Sequence, residues 1–170
     1  MQLPDWIISD THFFHDNIIK YSGRPENHND LMVQNWNSIV KPGDTVLHLG
    51  DVLMGPREKW MTIPRLRGNV EVLNSGNHDE EHKRKYIEAS WGWRFRPDFT
   101  WQYRGWMIFF SHYPAMTELI QDIKGINVHG HIHEKEDPSR QHINVSVERI
   151  NYRPVWLTDL LDKRIKALEG

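Results

Sequence analysis

Five short apolar runs in this chain stop in the same way, at a small or polar residue followed at once by side chains able to ligate a metal. They are Trp6-Ile7-Ile8-Ser9-Asp10-Thr11-His12, Leu47-His48-Leu49-Gly50-Asp51, Val70-Glu71-Val72-Leu73-Asn74-Ser75-Gly76-Asn77-His78-Asp79, Met107-Ile108-Phe109-Phe110-Ser111-His112 and Ile126-Asn127-Val128-His129-Gly130-His131-Ile132-His133. Apolar runs this short, bounded by turn residues, read as buried strands. Open α/β sheets keep their chemistry at the carboxyl ends of their strands. The pattern therefore predicts a sheet fold in which these ends meet and hold two metal ions, with Asp51 bridging them.

Composition sets the remaining bounds. A length of 170 residues with 38% hydrophobic content is enough for a core, so a single domain over residues 1–170 is expected, with no separate lid. A formal charge of -2 and a pI near 6.6 give no global attraction to nucleic acid or to an anionic membrane. The absence of cysteine excludes a disulfide framework and a thiolate metal site. The first residues show no basic-then-apolar leader, and no apolar run is long enough to span a bilayer, so a cytoplasmic protein without a membrane partner is expected. The 11 histidines, next to Asp and Asn, offer nitrogen and oxygen ligands that suit zinc, manganese, iron or nickel without choosing among them.

Taken in order, residues 5–9 read as a strand, after which alternation would put Asp10 and His12 on one side. A polar and aromatic loop leads to Tyr21-Ser22-Gly23-Arg24-Pro25. Asn29 or Asp30 can cap a helix carrying Met32, Val33, Trp36, Ile39 and Val40, and Lys41-Pro42-Gly43-Asp44 turns the chain into a strand at 45–49. Gly50 is expected to let the backbone approach the metals. A short helix at 57–61 and a strand at 70–75 precede Gly76-Asn77-His78-Asp79, which is expected to cap a helix at about 80–90 with a solvated charged face including Lys83. Strand-type residues at 93–95, 99–103 and 106–110, with Arg104-Gly105 as a turn, predict an antiparallel hairpin or meander. A short helix at 115–121, strands at 126–129, 142–147 and 154–157, and a last helix capped by Thr158 complete the chain. Alternation points His48 and His129 away from the ligand positions, while His28, His82 and His142 read as surface or loop residues.

Any one Asp-x-His or His-x-His pair is more often a local hydrogen-bonding feature than a metal site. Seven ligand-type residues just past apolar strands, namely Asp10, His12, Asp51, Asn77, His112, His131 and His133, demand a common cause. In chain order, Asp10-Thr11-His12, Gly50-Asp51, Gly76-Asn77-His78-Asp79, Ser111-His112 and Gly130-His131-Ile132-His133 resemble the five-block signature of the calcineurin-like metallophosphoesterases, from residue 6 to about 147. Tyr21-Ser22-Gly23-Arg24-Pro25, Ser111-His112-Tyr113-Pro114 and Asn151-Tyr152-Arg153-Pro154-Val155 further resemble a compact branch found in bacteria and their phages. The resemblance implies an α/β fold of two packed mixed β-sheets flanked by α-helices. It also implies two divalent metal ions, one held by Asp10, His12, Asp51 and His133, the other by Asp51, Asn77, His112 and His131. His78 would lie beside the metals without ligating, with Asp79 orienting its ring.

Two such ions can acidify a shared water, and the bridging hydroxide would act as nucleophile on a phosphoryl group. His78 is then the expected general acid toward the leaving oxygen. Arg24 is expected, with Asn77 and His78, to contact substrate, because a guanidinium fork suits a phosphoryl oxygen. The resulting expectation is a dimetal phosphoric-ester hydrolase, a phosphodiesterase or phosphatase, acting on a small phosphate ester or nucleotide. A small uncapped domain leaves an open cleft, which favours diesters over monoesters. Two alternatives are a nuclease acting on DNA or RNA and a non-catalytic scaffold of the same fold. Near-neutral charge stands against polymeric nucleic acid, and the full set of ligand-type residues stands against the scaffold.

Overall fold

A computed structural model describes residues 3–170, and in it two mixed sheets flanked by helices share one apolar core. The chain runs β1 (Trp6–Ile8), α1 (Ile18–Ser22), α2 (His28–Ile39), β2 (Thr45–His48), α3 (Arg57–Trp60), β3 (Asn69–Leu73) and α4 (Glu81–Trp91). It continues as β4 (Arg94–Arg96), β5 (Phe99–Tyr103), β6 (Trp106–Phe110), α5 (Thr117–Gln121), β7 (Gly125–His129), β8 (His142–Asn144), β9 (Val155–Trp156) and α6 (Leu157–Glu169). The first sheet has the order β4-β3-β2-β1-β9, the second β5-β6-β7-β8.

The first sheet is built from strand-helix-strand steps. β1 lies parallel to β2 with Ile8 opposite His48, and β2 parallel to β3 with His48 opposite Val72. α2 buries His28, Met32 and Trp36, one stripe at a spacing of four residues, and stops where Val40 turns to extended backbone before the Pro42 turn. β9 adds an antiparallel edge to β1. α6 buries Leu157, Leu161 and Ile165 on the same helical spacing. No helix among the described residues is long and apolar enough to cross a membrane.

Several local expectations are corrected. β4 pairs parallel with β3, Leu73 opposite Arg96, where Arg96 Nη1 reaches Glu71 Oε2 at 2.7 Å, so the stretch after residue 93 is not one meander. Only β5 and β6 form the hairpin, with Tyr103 opposite Trp106. Its turn residues Arg104 and Gly105 have φ of 49° and 80°, the positive pair that matches strand twist in a two-residue loop. Thr158 lies inside α6, whose start is instead fixed by the Leu157 N–H donating to the Asp5 carbonyl at 2.9 Å. The residue at the cap of α4 is Glu80, which leaves the 76–79 loop free for other bonds, and Lys83 is buried. His28 and His142 are buried, each with a ring nitrogen against a carbonyl, while His82 is exposed.

The two sheets meet just past β1. Ser9 forms a parallel bridge with Ser146, its N–H donating to Val145 O at 2.9 Å and its carbonyl accepting from Val147 N at 3.2 Å. The carboxyl ends of β1 and β8 therefore lie side by side, and the loops leaving both sheets converge on that seam.

Candidate metal centre

Two groups of ligand-type side chains stand at the seam, Asp10 with His12 and His133, and Asp51 with His112 and His131. Within each group one ligand atom per residue lies within 4.8 Å of the others. Asp51 Oδ2 sits 3.4 Å from His12 Nε2 and 3.4 Å from His112 Nε2, between the groups. Asn77 joins the second through Oδ1, 3.2 Å from His112 Nε2. All seven residues singled out in the sequence are thus brought together.

Backbone strain places them. Asp10, His12, Asp51, His131 and His133 all have positive φ, between 43° and 69°. Non-glycine residues enter this left-handed region at a cost of order 1 kcal/mol each. Asp10 and His12 therefore share a site through left-handed turns and not through strand alternation. Gly50 does allow a close approach, but to backbone: a Cβ there would lie 2.8 Å from Gly76 Cα.

Asp10, Asp51, His112 and His133 are each oriented by a second contact. Asp10 Oδ2 accepts from the His131 N–H at 2.9 Å and from Ser146 Oγ at 3.0 Å. His112 Nδ1 lies 3.0 Å from Leu49 O and His133 Nδ1 3.1 Å from Glu148 Oε1, which turns both Nε2 atoms toward the centre. Asp51 Oδ1 accepts from the His78 N–H at 2.9 Å, leaving Oδ2 for the site.

What remains unpaired fits a cation. Asp10 Oδ1 and both ring nitrogens of His12 are buried without a hydrogen-bond partner among the described residues. Orphaned buried polar atoms are costly unless a ligand takes them. Burial drives the His12 pKa well down against the opposing charge of Asp51, so its ring is neutral and offers a lone pair. Burial pushes the Asp51 carboxyl up, but hydrogen bonding to His112 and to the His78 N–H outweighs it and holds the group below the usual carboxylate range. Four imidazoles, two carboxylates and one amide oxygen form a donor set suited to two divalent ions.

Two assignments do not hold. Arg24, expected on the substrate, is 2% exposed, and its guanidinium is committed inward. It donates to Thr11 O at 2.7 Å, Asp10 O at 2.6 Å and Glu148 Oε1 at 2.7 Å, so it pins the first ligand loop and has no face for a phosphate. Asp79 does not orient the His78 ring, because its two oxygens accept the N–H groups of Asp51 at 2.6 Å and Val52 at 2.9 Å. Burial raises its pKa to about 6 against those two bonds. His78 is half-buried, its ring centroid 5.3 Å from that of His12.

Glu148 and Lys83 were missed. Burial pushes the Glu148 carboxyl up, but the bond to His133 and the charge of Arg24 hold it low. The Lys83 ammonium donates to the His78 carbonyl at 2.7 Å. Neither carries a sequence signal of its own, since Glu148 follows β8 with no ligand-type neighbour and Lys83 sits in a charged helical run. His48 and His129 are buried off the site as alternation predicts, with His48 between Thr11 Oγ1 at 3.0 Å and the Gly50 N–H at 3.1 Å.

A family model described as calcineurin-like phosphoesterase matches residues 4–167. The chain is 35% identical over 178 residues to the uncharacterized protein MJ1445 of Methanocaldococcus jannaschii, spanning 95% of this chain and 90% of the relative. The protein of unknown function AQ665 from Aquifex aeolicus shares the fold with a TM-score of 0.74 at 25% identity, over 92% of this chain and 97% of that one. A novel archaeal phosphodiesterase matches with a TM-score of 0.46 and 18% identity, over 85% of this chain and 82% of that one, too remote a likeness to bear on activity.

Proposed function

The chain belongs to the calcineurin-like phosphoesterase family, and on that premise we propose that it hydrolyses phosphoric esters, diesters in preference to monoesters, with two divalent ions. The observation that carries the reading is the position of Asp51 Oδ2, 3.4 Å from a histidine of each ligand group, beside the orphaned Asp10 Oδ1 and His12 ring. Asp10, His12, Asp51 and His133 would hold one ion, and Asp51, Asn77, His112 and His131 the other. Bound there, the ions supply an acidified water and neutralise charge on the phosphoryl group.

The chain's own residues do the rest. His78, fixed through its N–H on Asp51 and its carbonyl on Lys83, presents its ring beside the first group and donates a proton to the leaving oxygen. Asn77 faces its Oδ1 to His112, which leaves Nδ2 to donate to a phosphoryl oxygen. Asn77 is exposed and His78 half-buried, an open approach that supports a diester with a substituent on either side. The near-neutral net charge supports a small ester or nucleotide as substrate over a polymeric nucleic acid or a membrane.

The test is an assay of metal-stripped protein restored separately with manganese, iron, nickel or zinc, on bis-p-nitrophenyl phosphate and p-nitrophenyl phosphate. The stripped protein should be inactive, at least one ion should restore it, and the diester should turn over faster. Protein that binds no divalent ion, or binds two and cleaves neither ester, rejects the proposal.

A further inference from the structure

Tyr113 follows the ligand His112 directly, yet it is 44% exposed. Its ring centroid lies 4.2 Å from that of His131 and 5.1 Å from that of His112, so one aromatic surface adjoins two residues of the second ligand group. The backbone beneath it is fixed. Ser111 Oγ donates to the Tyr113 carbonyl at 2.6 Å, and Pro114 confines Tyr113 to extended backbone. No hydrogen bond holds the phenol among the described residues. On the side of the first group, Tyr21 is 72% exposed and lies 6.3 Å, ring to ring, from His15, itself 5.5 Å from His12.

A rigidly mounted aromatic with open ring surface, at the mouth of an otherwise polar site, matches a flat ring on the substrate. We infer that Tyr113 is a stacking platform for such a ring, so that the site selects phosphate esters of nucleosides over sugar phosphates that carry no base. This rests on the phosphoesterase reading, because it places the phosphate of the same molecule at the paired ligand groups. Stacking is tolerant of which base is present, since every base has a π-face, so the selection is for a nucleoside and not for one base. A platform already fixed by its backbone loses little freedom on binding.

The experiment compares two ligands that differ only in the base, adenosine 5′-monophosphate and ribose 5-phosphate. Each is titrated calorimetrically into protein loaded with manganese, with phosphate release followed in the same samples. The nucleotide should bind about tenfold more tightly, as expected of one stacked base. Tyr113→Ala should remove that preference and leave ribose 5-phosphate binding unchanged, while Tyr113→Phe should retain it.

Equal affinities in the unmodified protein overturn the inference. So does a Tyr113→Ala variant that loses both ligands alike, since Tyr113 would then be supporting the ligand histidines. A Tyr113→Phe variant as weak as Tyr113→Ala would assign the effect to the hydroxyl and not the ring. The underlying hydrolase reading fails separately: a Tyr113-dependent preference for the nucleotide in protein that cleaves neither p-nitrophenyl ester keeps the platform and removes the hydrolase.

Discussion

Glu148→Gln separates what holds the ligand loop from what tunes the ligand. Glu148 Oε1 accepts from Arg24 Nε at 2.7 Å and lies 3.1 Å from His133 Nδ1. Both charged side chains are inside the protein, with the Arg24 side chain at 0% exposure and that of Glu148 at 4%. Removing one partner of a buried ion pair costs ~3–5 kcal/mol, because the other charge is left uncompensated. Glutamine keeps an acceptor oxygen, and Arg24 keeps its bonds to Thr11 O and Asp10 O, so the lower end applies. At ~2–4 °C per kcal/mol for a chain of this size, metal-free Glu148→Gln should melt roughly 6–12 °C lower. A carboxylate behind a ligating histidine also raises its basicity, and losing one costs ~10–100-fold in metal affinity. That loss should fall on the ion held with His133 and spare the one held with His112 and His131. Adding Arg24→Met removes the stranded charge but also the bonds to Thr11 O and Asp10 O, so the double variant should not recover metal affinity. Thermal unfolding and a titration resolving two binding events read out both effects. A Glu148→Gln protein that melts within ~1 °C of the original and binds both ions unchanged would refute the reasoning.

Asp51→Asn should weaken both ions at once, since its Oδ2 stands 3.4 Å from a histidine of each group, and two ions retained at full affinity would deny it the shared position. His78→Ala should slow diesters with alkyl leaving groups by ~10²–10⁴ while nearly sparing p-nitrophenyl esters, whose leaving group needs no proton, and equal losses on the two would remove the proton-donor role. His48 has its pKa lowered to about 3, chiefly by burial, against the raising effect of Asp51. Its neutral ring therefore contributes stability that is full above the unfolded value near 6.5 and is lost as the pH falls toward 3. Its Nδ1 accepts from the Gly50 N–H, so NMR should show a neutral ring protonated on Nε2 down to at least pH 5, and a titration midpoint near 6.5 would contradict the packing.

Residues whose role is set by their position on a strand were legible in the sequence. The five apolar runs become β1, β2, β3, β6 and β7, and the ligands follow because each sits within a few residues of its strand end. The β5–β6 hairpin was legible to the residue, because a two-residue turn flanked by aromatic strands admits one register. Arg24 was not legible, since the fork that suits a phosphate suits two carbonyls and a carboxylate equally well, and only burial decides between them. Asp79 was misread for a related reason: in sequence it adjoins His78, but its oxygens are claimed by N–H groups 28 and 27 residues away. Glu148 reaches His133 only because the strand bridge between Ser9 and Ser146 brings the residues after β8 under the first ligand loop.

That bridge also explains how so strained a cluster persists. Five ligand residues in left-handed backbone would relax if each loop stood alone, and what holds them is a set of bonds in which the ligands brace one another. The Asp10 N–H donates to Gly50 O at 3.1 Å and the His12 N–H to Asp51 O at 3.0 Å, tying the first loop to the second. Asp10 Oδ2 takes the His131 N–H, tying the first to the fifth, and Asp51 Oδ1 takes the His78 N–H, tying the second to the third. Asp10 and Asp51 thus divide their oxygens, one for a neighbouring backbone and one for the centre. An amide at either position could retain the brace and would still lose the charge. The loops cannot move singly, and the geometry of the two ligand groups is set by the same bonds that close the seam between the sheets.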